Sequence, residues 1–289
     1  MDSIPRVSIG LIVYNGENFL AEAIDSLLAQ SFTDFELIIS DNGSMDKTES
    51  ICRKYASRDP RIRYYRADYN HGATWNHNHV IDLARGEFFK LAAQDDLCEP
   101  RFIEACVAAL DAHPQAILAF TDAKLLRGNF RASMRLHRHT LGTDAGLPSV
   151  RFNDMINADL QGFQVFGCIR TRVLRDIKPF GPWKGADRLI MAELALCGPF
   201  VRIEECLFIY RLHPQQSISM VNQPANYIAW WRSGDVQKRV FPQWRFLREL
   251  IAMVLRAHIP AAEKWHCLQH IGGWCWNKRH QLVQELGSV

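Results

Sequence analysis

Three apolar runs in the first hundred residues each stop at a cluster of amide and carboxylate side chains, and this repeat sets the fold. Val7 to Val13 ends at Tyr14-Asn15, Glu36 to Ser40 ends at Asp41-Asn42, and Phe88 to Ala92 ends at Gln94-Asp95-Asp96. A nearly continuous apolar run suits a strand buried on both faces, as parallel sheets require. Helical patterns lie between the runs. From Glu17 to Gln30, Phe19, Leu20, Ala23, Ile24, Leu27 and Leu28 recur at helical spacing. Asp46, with Glu49 three residues on, opens a helix to about Ser57. Ile62 to Arg66 reads as a further strand, and Trp75 to Ala84 as a helix ended by Arg85-Gly86. Pro100 starts another helix.

Strands alternating with helices from Val7 to Leu110 predict βαβ units and a mostly parallel, Rossmann-like α/β sheet flanked by helices. Ligands of such sheets bind beyond the carboxyl ends of the strands. The three polar clusters are therefore expected to converge. Wet loops alone would explain isolated polar residues there, but paired carboxylates next to Phe88, Phe89, Leu91, Ala92 and Ala93 point to a site.

No G-x-G-x-x-G follows the first strand and no G-x-x-x-x-G-K-[ST] occurs, which disfavours dinucleotide and P-loop sites. A nucleotide held without a glycine cradle needs its phosphate charge neutralised otherwise. Adjacent carboxylates holding Mg²⁺ or Mn²⁺ would do this, and the ion would stabilise a departing diphosphate. Asp41 can accept a hydrogen bond from the N–H of a base edge, or serve only as a turn residue.

The stretches VSIGLIVYNGENFLAEAIDSLLAQSFTDFELIISDNGSMDKT, NHGATWNHNHVIDLARGEF and KLAAQDDLCEP resemble inverting family-2 glycosyltransferases of the GT-A fold, closely over about the first hundred residues and weakly to His213. The resemblance implies that Tyr14, Asn15, Asp41 and Asn78 contact the nucleotide, with Asp95 beside them and uridine as the nucleoside. It places Asp95 and Asp96 in the metal-binding D-x-D region, where Ala93 stands at the position of the first aspartate. His77-Asn78 stands where the family has arginine-asparagine. In GPWKGADRLIMAELALCGPF, Asp187 matches the catalytic base, with Ala186 beside it where a second acid is usual. Glu193 is the rival base, expected to face solvent from mid-helix. The turn Arg211-Leu212-His213-Pro214 follows strand-like runs from Val201 to Tyr210 and resembles the family's turn near the phosphates. His213 would bind metal or diphosphate there, unless it is structural, and Arg211 would pair with phosphate.

The implied function is inverting transfer from a nucleotide diphosphate sugar to a hydroxyl of a saccharide or lipid-linked saccharide, in surface polysaccharide or glycolipid synthesis. Asp187 would take the acceptor proton, and no covalent sugar intermediate is required. A nucleotidyltransferase and a non-catalytic sugar-nucleotide-binding protein are the alternatives. Formal net charge is +3, so charge does not argue for nucleic acid.

The chain divides into a nucleotide-sugar-binding half (1–110), an acceptor-binding half of the same domain (111–225) and a basic, tryptophan-rich helical extension (226–289). Lys124, Arg127, Arg131, Arg135 and Arg138 form a basic segment without acids, either a flap over phosphates or a solvated surface. The extension carries Trp230, Trp231, Trp244, Trp265, Trp274 and Trp276, with an amphipathic helix from Phe241 to His258 and one or two more from Glu263 to Leu286. It would pack on the catalytic core or a second subunit, or dock at a membrane surface. His266 and His270 share a helix face beside Cys267, a zinc-compatible spacing without a zincin motif. The eight cysteines form no C-x-x-C pair and read as reduced thiols. No secretory leader or spanning run is visible, so a cytoplasmic protein, with peripheral membrane contact left open, is expected.

Overall fold

The computed structural model describes residues 4–127, 130–132, 142–157, 163–183, 185–216 and 241–287, with residues 130–132 and 142 described by backbone alone. One sheet organises them. Its strands are β1 (Val7–Val13), β2 (Phe35–Asp41), β3 (Ile62–Arg66), β4 (Phe88–Ala93), β5 (Leu97–Cys98), β6 (Leu118–Arg127), β7 (Phe130–Ala132), β8 (Cys168–Arg170) and β9 (Phe200–Leu212). They are ordered β3-β2-β1-β4-β8-β6-β9-β5, with β7 paired to β6. The pairings β3–β2–β1–β4 and β6–β9 are parallel, whereas β8, β5 and β7 run against their neighbours. The expected mostly parallel α/β sheet is thus present, and its antiparallel members join the two halves into one sheet.

Burial explains the strand sequences. Val7, Ile9, Leu11 and Val13 of β1 and Leu37 and Ile39 of β2 face one core; Ile38, Phe89 and Leu91 face the other. Gly10 fits this packing because a Cβ there would lie 2.8 Å from the Phe89 ring and from Val80. The first core is covered by α1 (Leu20–Leu28), α2 (Thr48–Ala56) and α4 (Phe102–Ala112). The second is covered by α3 (Ala73–Leu83), α5 (Pro148–Asn157), α6 (Thr171–Asp176), α7 (Ala186–Cys197), α8 (Pro242–Arg256) and α9 (Ala261–Gly287).

The last two helices form a hairpin on the core. Phe246, Leu250, Met253 and Val254 of α8 and Cys267, Ile271 and Trp274 of α9 are buried. Burial of such side chains stabilises by about 1.5–3 kcal/mol each. The region from Glu263 is a single helix. Among the described residues, no helix is long and apolar enough to cross a membrane. Trp230, Trp231 and the rest of 217–240 lie outside the described residues, as do Arg135 and Arg138 of the basic segment. Of that segment, Lys124 is not free: it pairs with Glu99 at 2.9 Å.

Candidate active site

The sheet gathers the predicted polar clusters along one edge, and its first two loops are bound to each other. Tyr14, Asn15 and Gly16 follow β1, and Asn15 takes a positive φ of 50°, a conformation asparagine tolerates better than most residues. Its backbone N–H donates to Ser44 Oγ at 2.9 Å, and its Oδ1 accepts the Met45 N–H at 3.0 Å. Gly16 donates to Thr48 Oγ1, and Glu17 donates to Asp46 Oδ2. Tyr14 is tied to the third cluster through Gln94 Oε1 at 2.8 Å, while 37% of it stays exposed. The sequence places Gln94 in the third polar cluster and assigns it no role there.

Asp41 reaches this edge but turns inward. It is fully buried, with Oδ1 accepting the Ser44 N–H and Oδ2 accepting the Tyr64 hydroxyl, both at 2.9 Å. Arg66 Nε lies 3.7 Å away. Asp41 thus builds the turn after β2. Asn42 is equally occupied, accepting from His71 N–H and donating to Asn70 Oδ1 and Gly72 O.

The third cluster meets the end of β9 because β5 returns antiparallel to it, pairing Leu97 with Ile209. This register sets Asp95 and Asp96 against Arg211 and His213, and the two carboxylates diverge. Asp95 Oδ2 lies 2.8 Å from His213 Nε2. Asp96 is 7% exposed, and its Oδ1 accepts the Arg211 backbone N–H at 3.0 Å. Burial and the neighbouring Asp95 charge push the Asp96 carboxyl up, outweighing that hydrogen bond and the nearby Lys90 and Arg211. Asp96, expected among the metal ligands, therefore belongs to the interior.

Arg211 also departs from expectation. Its guanidinium donates to Asp95 O at 2.9 Å and to Glu22 Oε2 at 2.7 Å, and lies 4.8 Å from the centre of the Phe19 ring. It braces α1 against the Asp95 turn. Phe19 also packs against the His213 ring at 4.5 Å.

Asp95 and His213 pass a simple test of fit for a divalent ion. The imidazole Nε2–H donates to the carboxylate at 2.8 Å, and a cation that displaced this proton would find a nitrogen and an oxygen lone pair side by side. The carboxylate suits Mg²⁺ or Mn²⁺, and the imidazole favours the transition ion. Among the described residues, no group of three His, Cys, Asp or Glu side chains encloses a metal, so an ion here would depend on oxygens of its ligand. The His266-Cys267-His270 spacing is not gathered either: Cys267 is buried in the core, while His266 is half exposed and pairs with Glu263 at 3.6 Å.

The predicted residues of α3 and α7 lie near one another. Asn76 donates to Val13 O and Ser40 O at the ends of β1 and β2, and its buried Oδ1 has no partner among the described residues. Next to it, His77 is buried with Nδ1 2.7 Å from Ala73 O; burial lowers its pKa, partly offset by the Asp187 charge. Asp187 thus lies near the start of α3, in the first turn of α7, after Gly185 with φ +80°. It is half-buried, and no hydrogen bond or ion pair engages its carboxylate among the described residues. The helix dipole favours a carboxylate in that turn.

Asn78, expected on the nucleotide, instead holds the loop before α7. Its Nδ2 donates to Phe180 O at 3.0 Å and its Oδ1 accepts the Phe180 N–H at 2.9 Å. Glu193 does not face solvent. Its side chain is 12% exposed and bonded by Arg256 of α8 at 2.8 to 3.1 Å.

These features define an α/β protein whose predicted polar clusters lie beyond the carboxyl ends of its strands. The chain belongs to glycosyl transferase family 2, whose description matches residues 8–176, more than half of its length. An uncharacterized glycosyltransferase of Haemophilus influenzae is 24% identical over 79% of this chain and 72% of its own. A Campylobacter jejuni relative named GalNAc(5)-diNAcBac-PP-undecaprenol beta-1,3-glucosyltransferase is 35% identical over 32% of this chain and 30% of its own. The matches span only 14%, 41% and 30% of the first three curated relatives' lengths. The solved S. aureus TarS 1-349 in complex with UDP-GlcNAc has the same fold, with a TM-score of 0.71 at 17% identity over 98% of this chain and 80% of that one. The mannosyltransferase PcManGT of Pyrobaculum calidifontis, solved with GDP-Man and Mn²⁺, aligns with a TM-score of 0.57 at 14% identity over 96% of this chain and 75% of that one. The fold is therefore α/β of the GT-A type with C-terminal helices.

Proposed function

We propose that this chain moves a sugar from a UDP-sugar to an acceptor hydroxyl by a single inverting displacement, with Asp187 as the base. The observation that carries this is Asp187 itself: a half-buried carboxylate with no hydrogen bond or ion pair among the described residues, in a helix's first turn and near His77 of α3. Glu193, its rival, is occupied by Arg256.

The residues divide the work as follows. Tyr14 offers its exposed ring and Asn15 shapes the loop beneath the nucleoside. Asp95 and His213 would hold Mn²⁺, or Mg²⁺, against the diphosphate. That ion, when bound, supplies charge neutralisation to the departing nucleoside diphosphate. Asp187 accepts the proton of the attacking hydroxyl, and Asn78 keeps the loop before it in place. A lipid-linked or polysaccharide acceptor is favoured by the undecaprenol-linked substrate in the Campylobacter relative's name. UDP is favoured by the bound nucleotide sugar of TarS.

Calorimetric titration with UDP, using GDP and dTDP as controls, with and without Mn²⁺, tests the donor site. Transfer by Asp187→Asn tests the base. Removing a general base costs on the order of 10²–10⁴ in rate, so the variant should keep UDP binding and lose transfer to that extent. Transfer surviving in Asp187→Asn would overturn the assignment. Failure of every nucleotide to bind the folded protein would overturn the donor site.

A further inference from the structure

We infer that the outer face of the α8–α9 hairpin docks on an anionic phospholipid surface. The hairpin carries seven of the thirteen exposed large hydrophobic residues found among the described residues: Trp244, Ile251, Leu255, Trp265, Trp276, Val283 and Leu286. They fall in register. Trp244, Ile251 and Leu255 repeat at intervals of seven and four along α8; Trp265, Gly272, Trp276 and Val283 repeat at seven, four and seven along α9. Such intervals keep side chains on one helix face. Trp265 and Trp276 are 62% and 69% exposed, unusual for tryptophan, which more often buries against protein. The helix ends meet where Trp244 Nε1 donates to Leu282 O and Lys264 Nζ donates to Leu255 O. The two stripes therefore lie on neighbouring helices of one hairpin.

Charge chooses the occupant. The hairpin's acids are turned onto protein donors: Glu249 is buried against Lys178, Glu263 accepts the Ser149 N–H, and Glu285 accepts the first N–H groups of α8. The cations stay outside. Arg279 is exposed with its guanidinium 4.6 Å from the Trp276 ring, and Arg248, although it touches Glu249 at 3.1 Å, keeps 69% of its side chain exposed. An apolar face with tryptophan and outward cations matches the headgroup region of a negatively charged bilayer. A second copy would bring two cationic faces together, which like charges oppose. The helices are not apolar enough to span, so the hairpin would lie in the plane of the surface.

The inference stands on this surface alone and not on sugar transfer. Its test is flotation of the full chain with phosphatidylcholine vesicles, with and without phosphatidylglycerol. The chain should float with the phosphatidylglycerol vesicles and be released by salt. The double variant Trp265→Ser/Trp276→Ser should lose about tenfold or more in binding, and Arg248→Glu/Arg279→Glu should lose the preference for phosphatidylglycerol. Circular dichroism and the unfolding midpoint confirm that these surface variants stay folded. Equal flotation of the chain and its tryptophan variant would overturn the inference. So would a dimer, measured by light scattering, that dissolves in the tryptophan variant while vesicles remain unbound.

Discussion

His213 presents Nε2 to Asp95 Oδ2 at 2.8 Å across 118 residues of chain, while its Nδ1 is buried without a partner among the described residues. Neighbouring carboxylates thereby acquire different tasks, because Asp95 faces the imidazole and Asp96 faces the interior. Asp95→Asn is expected to abolish the Mn²⁺ dependence of UDP binding and weaken it about tenfold or more, as losing one of few metal ligands should. Asp96→Asn replaces a carboxyl that burial already keeps from ionising readily, so it should preserve metal-dependent binding. Calorimetry on both variants separates the two roles.

Asn78→Ala should lower the rate of transfer while leaving UDP affinity within about twofold, because its bonds go to Phe180 and not to a ligand. Steady-state kinetics beside a UDP titration checks this. A fall in UDP affinity with unchanged turnover would return Asn78 to the nucleotide.

Glu193→Gln should leave transfer intact. Its bidentate bond to Arg256 spans α7 and α8, and an ion pair of this partly exposed kind is worth about 1 kcal/mol at most. A double-mutant cycle of Glu193→Ala and Arg256→Ala in urea unfolding measures that coupling.

Glu36→Gln should cost about 3 kcal/mol at neutral pH, since it strips a 3% exposed carboxylate from Arg63 and Arg85. Burial alone would raise the Glu36 pKa, but bonds from Ser8, Arg63 and Arg85 hold it below its usual value. A lowered folded-state pKa gives stability that is full above the unfolded value and is lost as pH falls toward the folded one. The gap between the chain and the variant should therefore close below about pH 4. Denaturant midpoints across pH record it.

The parallel half of the sheet was legible because its strands are apolar on both faces, so β1, β2 and β4 end close to where their apolar runs end. The strand-end rule also located the site's edge. It could not say which way each polar side chain turns. Asp41, Asn78 and Arg211 sit where a ligand was expected, yet each finds a partner in the protein: Tyr64, Phe180 and Glu22. Such partners come from other elements, 23, 102 and 189 residues away, and no local pattern announces them. Strand β5 has two residues and β8 three, too short for any periodicity. Glu193 was misread for the same reason, since α8, which covers it, lies far along the chain.

The antiparallel return of β5 onto β9 also has a meaning during synthesis. The first hundred residues hold Asp95, but the imidazole facing it arrives only when the strand ending at Leu212 has left the ribosome and paired. Domains generally fold as units as the chain emerges, so a nascent chain should gain tight nucleotide binding late and in one step. An incomplete chain would then leave the cell's donor pool untouched.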